Sequence, residues 1–158
     1  MNYKLLALGG DGIGPEVLES GLSILEAISK KNNLNFEISF DLIGGACWDK
    51  YGTFCRNSTI EKAIESDAIV VGAVGGHKWD AMKIKGDPEE QDGLMCLRKK
   101  LGAFFGIRPA KNYKSLQNII PFNKEYVQNS EIIILREMCG GVMFSKPRGL
   151  KFLENDKR

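Results

Sequence analysis

"ALGGDGIGPEV", residues 7–17, sets four glycines and one aspartate between an apolar run and a helix-like stretch. The run before it, "YKLLAL" (3–8), reads as a buried strand. The stretch after it, "PEVLESGLSILEAISKK" (15–31), reads as a helix. Pro15 suits the first helical position, and Glu16 suits the positive end of the helix dipole. Val17, Leu18, Gly21, Leu22, Leu25 and Ile28 recur at helical spacing on one stripe. A strand that enters a helix through glycines is the first unit of an α/β protein. The dinucleotide fingerprint G-x-G-x-x-G fails, because counting from Gly10 puts Pro15 where the third glycine belongs. The Walker pattern fails too, since no Gly-Lys-Ser/Thr follows. A turn at a helix N-terminus remains, with backbone N–H groups that favour an anion. The same residues equally fit a tight turn that binds nothing.

Outward from this turn the pattern repeats. "NFEISFDLIGG" (35–45) alternates like a strand and leaves through two glycines. "STIEKAIESD" (58–67) reads as a short helix, with Ser58 and Glu61 at capping-box spacing. "AIVVGAVGG" (68–76) is an apolar strand, again with a glycine exit. This order predicts a mostly parallel sheet flanked by helices. "GHKWDAMKIKGDPEEQDG" (76–93) is polar, contains Gly86 and Pro88, and reads as a long loop. "LMCLRKKLGAF" (94–104) reads as a helix, and "FGIRPAK" (105–111) and "EIIILREM" (131–138) as strands. "CGGVMFSKPRG" (139–149) is a glycine-rich turn into an extended piece, and beyond it no pattern is completed.

Composition narrows the function classes. The chain has 158 residues, 43% hydrophobic and 27% charged, with a formal charge of +2. That balance gives no electrostatic case for nucleic acid or an anionic membrane. No apolar run approaches the ~20 residues of a transmembrane helix. Cys47, Cys55, Cys96 and Cys139 are scattered without a C-x-x-C pair, and His77 is the sole histidine, so no zinc site is expected. Reduced thiols in a cytoplasmic protein are the expectation.

Three arginines carry the strongest chemistry. Arg98 lies on a predicted helix, Arg108 follows the strand-like "FGI", and Arg136 ends the apolar "EIIIL". Ligands of parallel sheets gather at strand ends, and each guanidinium can clamp a carboxylate bidentately. The set suggests a small polycarboxylate, although solvated surface arginines would look the same.

"GGDGIGPEV", "GAVGGHKWD", "LRKKLGAFFGIRPAK", "ILREMCGGVMF" and "KPRG" occur in this order, and together they resemble the isocitrate/isopropylmalate dehydrogenase family of β-decarboxylating dehydrogenases. The resemblance implies that family's fold, here incomplete. Residues 1–103 would be the N-terminal part of the first, cofactor-side domain, and 104–158 the start of the second, dimerisation-side domain. It implies NAD as cofactor, beside Ile13 and the stretch Gly75, Gly76, His77, Lys78, Trp79 and Asp80, with Glu89 or Glu90 orienting the nicotinamide ribose. It implies that Arg98, Arg108 and Arg136 hold a malate-type dianion, and that Leu94 and Met95 pocket an isopropyl group. An isocitrate enzyme would place serine and asparagine near "GLMCLR", which has neither. A third carboxylate against Leu94 and Met95 would be costly. The resemblance therefore favours an isopropylmalate enzyme of leucine biosynthesis.

Two departures accompany it. Met143 stands where the family has a tyrosine acid, and a thioether cannot donate a proton. Cys139 stands where isopropylmalate enzymes usually carry threonine. The family's catalytic lysine and the aspartates for Mg²⁺ or Mn²⁺ map to no residue of this chain, so no metal ligand is expected here. The chain is expected to be inactive alone. The family is homodimeric, and the alternatives are a tartrate- or malate-type relative, a non-catalytic remnant, or a subunit completed by another chain.

Overall fold

A computed structural model describes residues 2–80, 92–128, 130–138, 140 and 141. The chain forms two compact units, Met1–Gly102 and Ala103–Arg158. In the first unit the order is β1 (Asn2–Gly10), α1 (Gly14–Asn32), β2 (Asn35–Asp41), α2 (Gly45–Tyr51), α3 (Asn57–Ile64), β3 (Ala68–Ala73), α4 (His77–Asp80) and α5 (Gly93–Lys100). The second holds β4 (Phe105–Lys111), a 3-10 turn (Lys114–Leu116), α6 (Lys124–Val127) and β5 (Glu131–Glu137).

The sheet of the first unit has the order β2-β1-β3, and both pairings are parallel. β1 is central, and Leu5, Leu6, Ala7 and Leu8 are all buried, because helices cover both sheet faces. Leu6 and Leu8 pack with Ile43, Ile60, Ala63 and Leu97, which brings α3 and α5 onto one face. Burying each such leucine contributes about 1.5–3 kcal/mol. On the other face α1 lies over β1 and β3. It approaches closely because Gly72 faces Gly9 and Gly14: a Cβ on Gly72 would sit 2.2 Å from the Gly14 carbonyl oxygen and 2.4 Å from that of Gly9.

Several expectations are corrected. α1 begins at Gly14, so Pro15 is second in the helix. Its stripe is narrower than the sequence suggested: Leu18 is buried and Leu22 and Leu25 half-buried, whereas Val17, Gly21 and Ile28 are exposed. Positions 18, 22 and 25 run along one line, and 17, 21, 24 and 28 run beside it, beyond the reach of three strands. The Ser58–Glu61 capping box does not form. The helix starts one residue earlier, with extended Arg56 at its N-cap and no side-chain cap, so Ser58 sits inside the first turn. The polar stretch after β3 opens with a helical turn, α4, rather than a loop. α2 was not foreseen. The stretches 81–91 and 142–158 lie outside the described residues.

In the second unit β4 and β5 pair antiparallel, with Gly106 opposite Arg136 and Arg108 opposite Ile134. The parallel sheet is thus confined to the first unit among the described residues.

Candidate functional site

The glycine turn is organised by its own aspartate. Asp11 is 4% exposed. Its Oδ2 accepts the N–H groups of Gly45 and Gly75, both at 2.9 Å, and Oδ1 accepts that of Ala46 at 2.6 Å. Its own N–H donates to the Ala73 carbonyl at 2.6 Å. One carboxylate therefore ties together the exits of all three parallel strands. The N–H groups at the start of α2, which have no partner inside the helix, obtain a charged acceptor. The anion at this turn is the protein's own side chain. Sequence reasoning missed this role, although a signal existed: three glycine exits need acceptors for their N–H groups, and Asp11 is the acid among them.

Asp11 also brings two expected cofactor segments together. Ile13 stands exposed in the turn after it. Gly75, with φ at +115°, continues through Gly76 into α4. A Cβ on Gly75 would meet nothing within 4 Å, so its glycine answers to the backbone conformation and leaves an open surface. His77 is exposed there. Lys78 and Trp79 are otherwise engaged: Lys78 Nζ lies 2.6 Å from Asp49 Oδ2, and Trp79 Nε1 donates to Asp49 Oδ1 at 3.2 Å. These two hydrogen bonds, Lys78 first, hold the Asp49 carboxyl below the usual carboxylate range. The Trp79 ring covers Gly45, where a Cβ would approach it to 2.1 Å. Asp80 closes α4, and Glu89 and Glu90 lie outside the described residues.

The first arginine borders a cleft of about 330 Å³ between β3 and α5, lined by Ile69, Val71, Gly72, Val74, Leu94, Leu97, Arg98 and Leu101. Asp92 caps α5 by accepting the N–H groups of Leu94 (2.8 Å) and Met95 (3.2 Å). Leu94 and Arg98, one turn apart, face this cleft together. Met95 does not line it, because a helix turns about 100° per residue. An apolar wall with one guanidinium suits a branched apolar group next to a carboxylate.

The other two arginines share one face of the β4–β5 ribbon. Arg136 is opposite Gly106, two residues before Arg108, which makes the arginines diagonal neighbours. A Cβ on Gly106 would press on Met138 Sδ at 3.1 Å and make only ordinary contact with Arg136 Cβ at 3.6 Å. Neither arginine stands at the end of a parallel strand, as the sequence had suggested: Arg108 is fourth of seven residues in β4 and Arg136 sixth of seven in β5, and their sheet is antiparallel. The pair is set by cross-strand register instead. Among the described residues no group of three histidine, cysteine or acidic side chains is placed to hold a metal, and no helix is long and apolar enough to cross a membrane. Cys139 and Met143 lie outside the described residues.

A parallel sheet covered on both faces, with glycine exits clasped by one buried acid, defines an α/β protein. The family described as isocitrate/isopropylmalate dehydrogenase matches residues 4–156, and the chain belongs to that family. It is similar to the 3-isopropylmalate dehydrogenases of Hydrogenovibrio crunogenus, at 41% identity, and Pseudomonas fluorescens, at 42%, over all of this chain but only 44% and 43% of theirs. The chain thus spans less than half the length of these relatives, and only part of the fold is present. Among solved structures, a β-decarboxylating dehydrogenase from Thermococcus kodakarensis is 26% identical with a TM-score of 0.59, covering 85% of this chain and 33% of that one. Isocitrate dehydrogenase from Methylococcus capsulatus shares the fold, with a TM-score of 0.66 at 19% identity over 86% of this chain and 34% of that one.

Proposed function

We propose that this chain is the N-terminal portion of an NAD-dependent 3-isopropylmalate dehydrogenase, cytoplasmic and serving leucine biosynthesis. In the whole enzyme 3-isopropylmalate would be oxidised at its hydroxyl carbon and decarboxylated to 2-oxoisocaproate. The observation that carries this reading is the pairing of Leu94 with Arg98 on one apolar cleft, alongside Arg108 and Arg136 on one ribbon face. The cleft offers an apolar wall with one guanidinium, and the ribbon face offers two more; a guanidinium fork is the group that suits a carboxylate. Met95 would contribute to the isopropyl pocket only after a change in the rotation of α5.

In this reading residues 1–103 belong to the cofactor side, and 104–158 begin the second, dimerisation-side domain. NAD would lie along Ile13, Gly75, Gly76 and His77; Ile13, Gly75 and His77 are exposed, and the open space beside Gly75 fits a flat ligand. Lys78, Trp79 and Asp80 would frame that edge, and Glu89 or Glu90 would orient the ribose. Bound NAD supplies the hydride acceptor. The described residues do not fit the divalent metal, whose ligands would come from elsewhere. The 158-residue chain alone is therefore inactive, whether it serves as a remnant or as a subunit completed by another polypeptide.

The test fuses this chain to the remaining C-terminal part of the Hydrogenovibrio crunogenus relative. The fusion is expected to reduce NAD with 3-isopropylmalate and Mg²⁺, to ignore isocitrate, and to lose most turnover in Arg136→Lys, because an ammonium cannot replace a planar fork. The chain alone should give no turnover. Activity of the fusion on tartrate or malate in place of 3-isopropylmalate would overturn the substrate assignment.

A further inference from the structure

Cys55 and Cys96 sit on neighbouring elements around one core cluster, although 41 positions separate them in sequence (96 − 55). Cys55 lies between α2 and α3, and Cys96 lies on α5 next to Leu97. Both are half-buried and pack against the same core cluster as Leu97 and Ile60. The elements are pressed together: a Cβ on Gly93, which opens α5, would sit 2.3 Å from the Phe54 carbonyl oxygen. Cys96 is the neighbouring thiol that acts most on Cys55, ahead of Cys47. Cys47 is also near but has no exposed surface, so a dissolved oxidant cannot reach it.

We propose that Cys55 and Cys96 form an oxidation-sensitive pair that closes to a disulfide under hydrogen peroxide and so ties the α2–α3 loop to α5. Neither thiol has a part in the proposed dehydrogenase chemistry, and the inference does not depend on that reading. The order of attack follows from the surroundings. Burial first, then the neighbouring Cys96 and Cys47, push the Cys55 thiol up to about 12, which makes it the poorer initial nucleophile. Cys96 attacks a peroxide oxygen as thiolate, the O–O bond breaks, and hydroxide leaves, giving a sulfenic acid on Cys96. The Cys55 sulfur, held beside it, attacks the Cys96 sulfur and loses its proton, while the S–O bond breaks and the oxygen leaves as water. In sum, two thiols lose two electrons and two protons, and one peroxide becomes two waters. The link falls two residues from Arg98 and Leu94 on the same helix, and so fixes α5 at the cleft.

The test treats the full 158-residue chain with limiting hydrogen peroxide, alkylates the remaining thiols, and maps peptides without reduction. A parallel sample is oxidised in urea. The expected result is one dominant Cys55–Cys96 linked peptide, lighter by two hydrogens and reversed by a dithiol, with Cys47 alkylated only after unfolding. In urea the cysteines should pair in a mixture. Cys96→Ser should abolish the link and leave Cys55 as free thiol. A sulfinic acid on Cys96 without a link, a dominant link to Cys47, Cys139 or a second molecule, or the urea mixture appearing in native buffer would each overturn the proposal. Dehydrogenase activity enters none of these readouts.

Discussion

At the scale of single residues, Asp11 carries more of the first unit than its small side chain suggests. Asp11→Ala would orphan the N–H groups of Gly45, Ala46 and Gly75, of which Gly45 is buried. Each buried donor left without an acceptor costs about 1–3 kcal/mol. We expect Asp11→Ala to lose about 1–3 kcal/mol in urea unfolding, chiefly through Gly45, and Asp11→Asn, which keeps one acceptor oxygen, to lose less. Equal stability in the three proteins would show that water replaces the carboxylate. Met143 calls for the opposite kind of change. A missing general acid commonly costs about 10²–10⁴ in rate. In the fused enzyme, Met143→Tyr is therefore expected to raise kcat with 3-isopropylmalate by at least about tenfold and to change KM little. An unchanged kcat would mean that protonation proceeds by another route.

Between elements, tight backbone approach and buried carboxylates make the joints. Gly72→Ala would drive a methyl into the Gly14 and Gly9 carbonyl oxygens, and backbone has nowhere to go. Overpacking of this kind costs about 1–3 kcal/mol. Gly21→Ala, in the middle of α1 with open space around it, is expected to stabilise by about 0.5–1 kcal/mol. Thermal melts of the two variants should move in opposite directions. Asp41, at the end of β2, joins that strand to α3: its buried carboxylate accepts from Arg56, from Lys62 at 2.9 Å, and from the Leu42 N–H at 2.8 Å. Burial resists its ionisation, but the hydrogen bonds from Lys62, Leu42 and Arg56 outweigh burial and hold it below the ordinary aspartate value. A lowered folded pKa gives stability that is present above the unfolded value, about 4, and is lost as pH falls through the folded one. Urea midpoints should therefore drop on acidification below about pH 4, and Asp41→Asn should lower the midpoint at neutral pH and flatten that drop. Such joints mark the limit of what the sequence discloses. β1, β2, β3 and α1 were legible because periodicity and glycine exits act within a few residues. The clasp by Asp11, the Arg56 start of α3 and the engagement of Asp49 by Lys78 and Trp79 were not, since each depends on contacts across many residues. The antiparallel register that sets Arg108 and Arg136 on one ribbon face was not legible either.

Across the whole molecule, the remaining feature is apolar surface. On the ribbon face opposite Arg108 and Arg136, Phe105, Ile107, Ile133 and Leu135 form a continuous patch, each 59–67% exposed. On α1, Val17, Ile24 and Ile28 form a second stripe, 45–63% exposed. A two-stranded ribbon exposed on both faces is marginal in water, and apolar patches of this kind favour association. Relatives such as that of Hydrogenovibrio crunogenus have more than twice the length of this chain, so they have further polypeptide available to cover such faces. We therefore expect the isolated 158-residue chain to self-associate and to bind an apolar dye. Ile133→Thr with Leu135→Thr keeps β-branched or strand-compatible side chains while removing most of the apolar contact. Ile24→Lys removes the centre of the helical stripe at an exposed position that tolerates a long charged residue. Light scattering at equal concentration should fall in both variants and fall furthest when they are combined, with circular dichroism unchanged. Association that persists in the combined variant would place the sticky surface elsewhere and leave these patches as solvated faces of a stable fold.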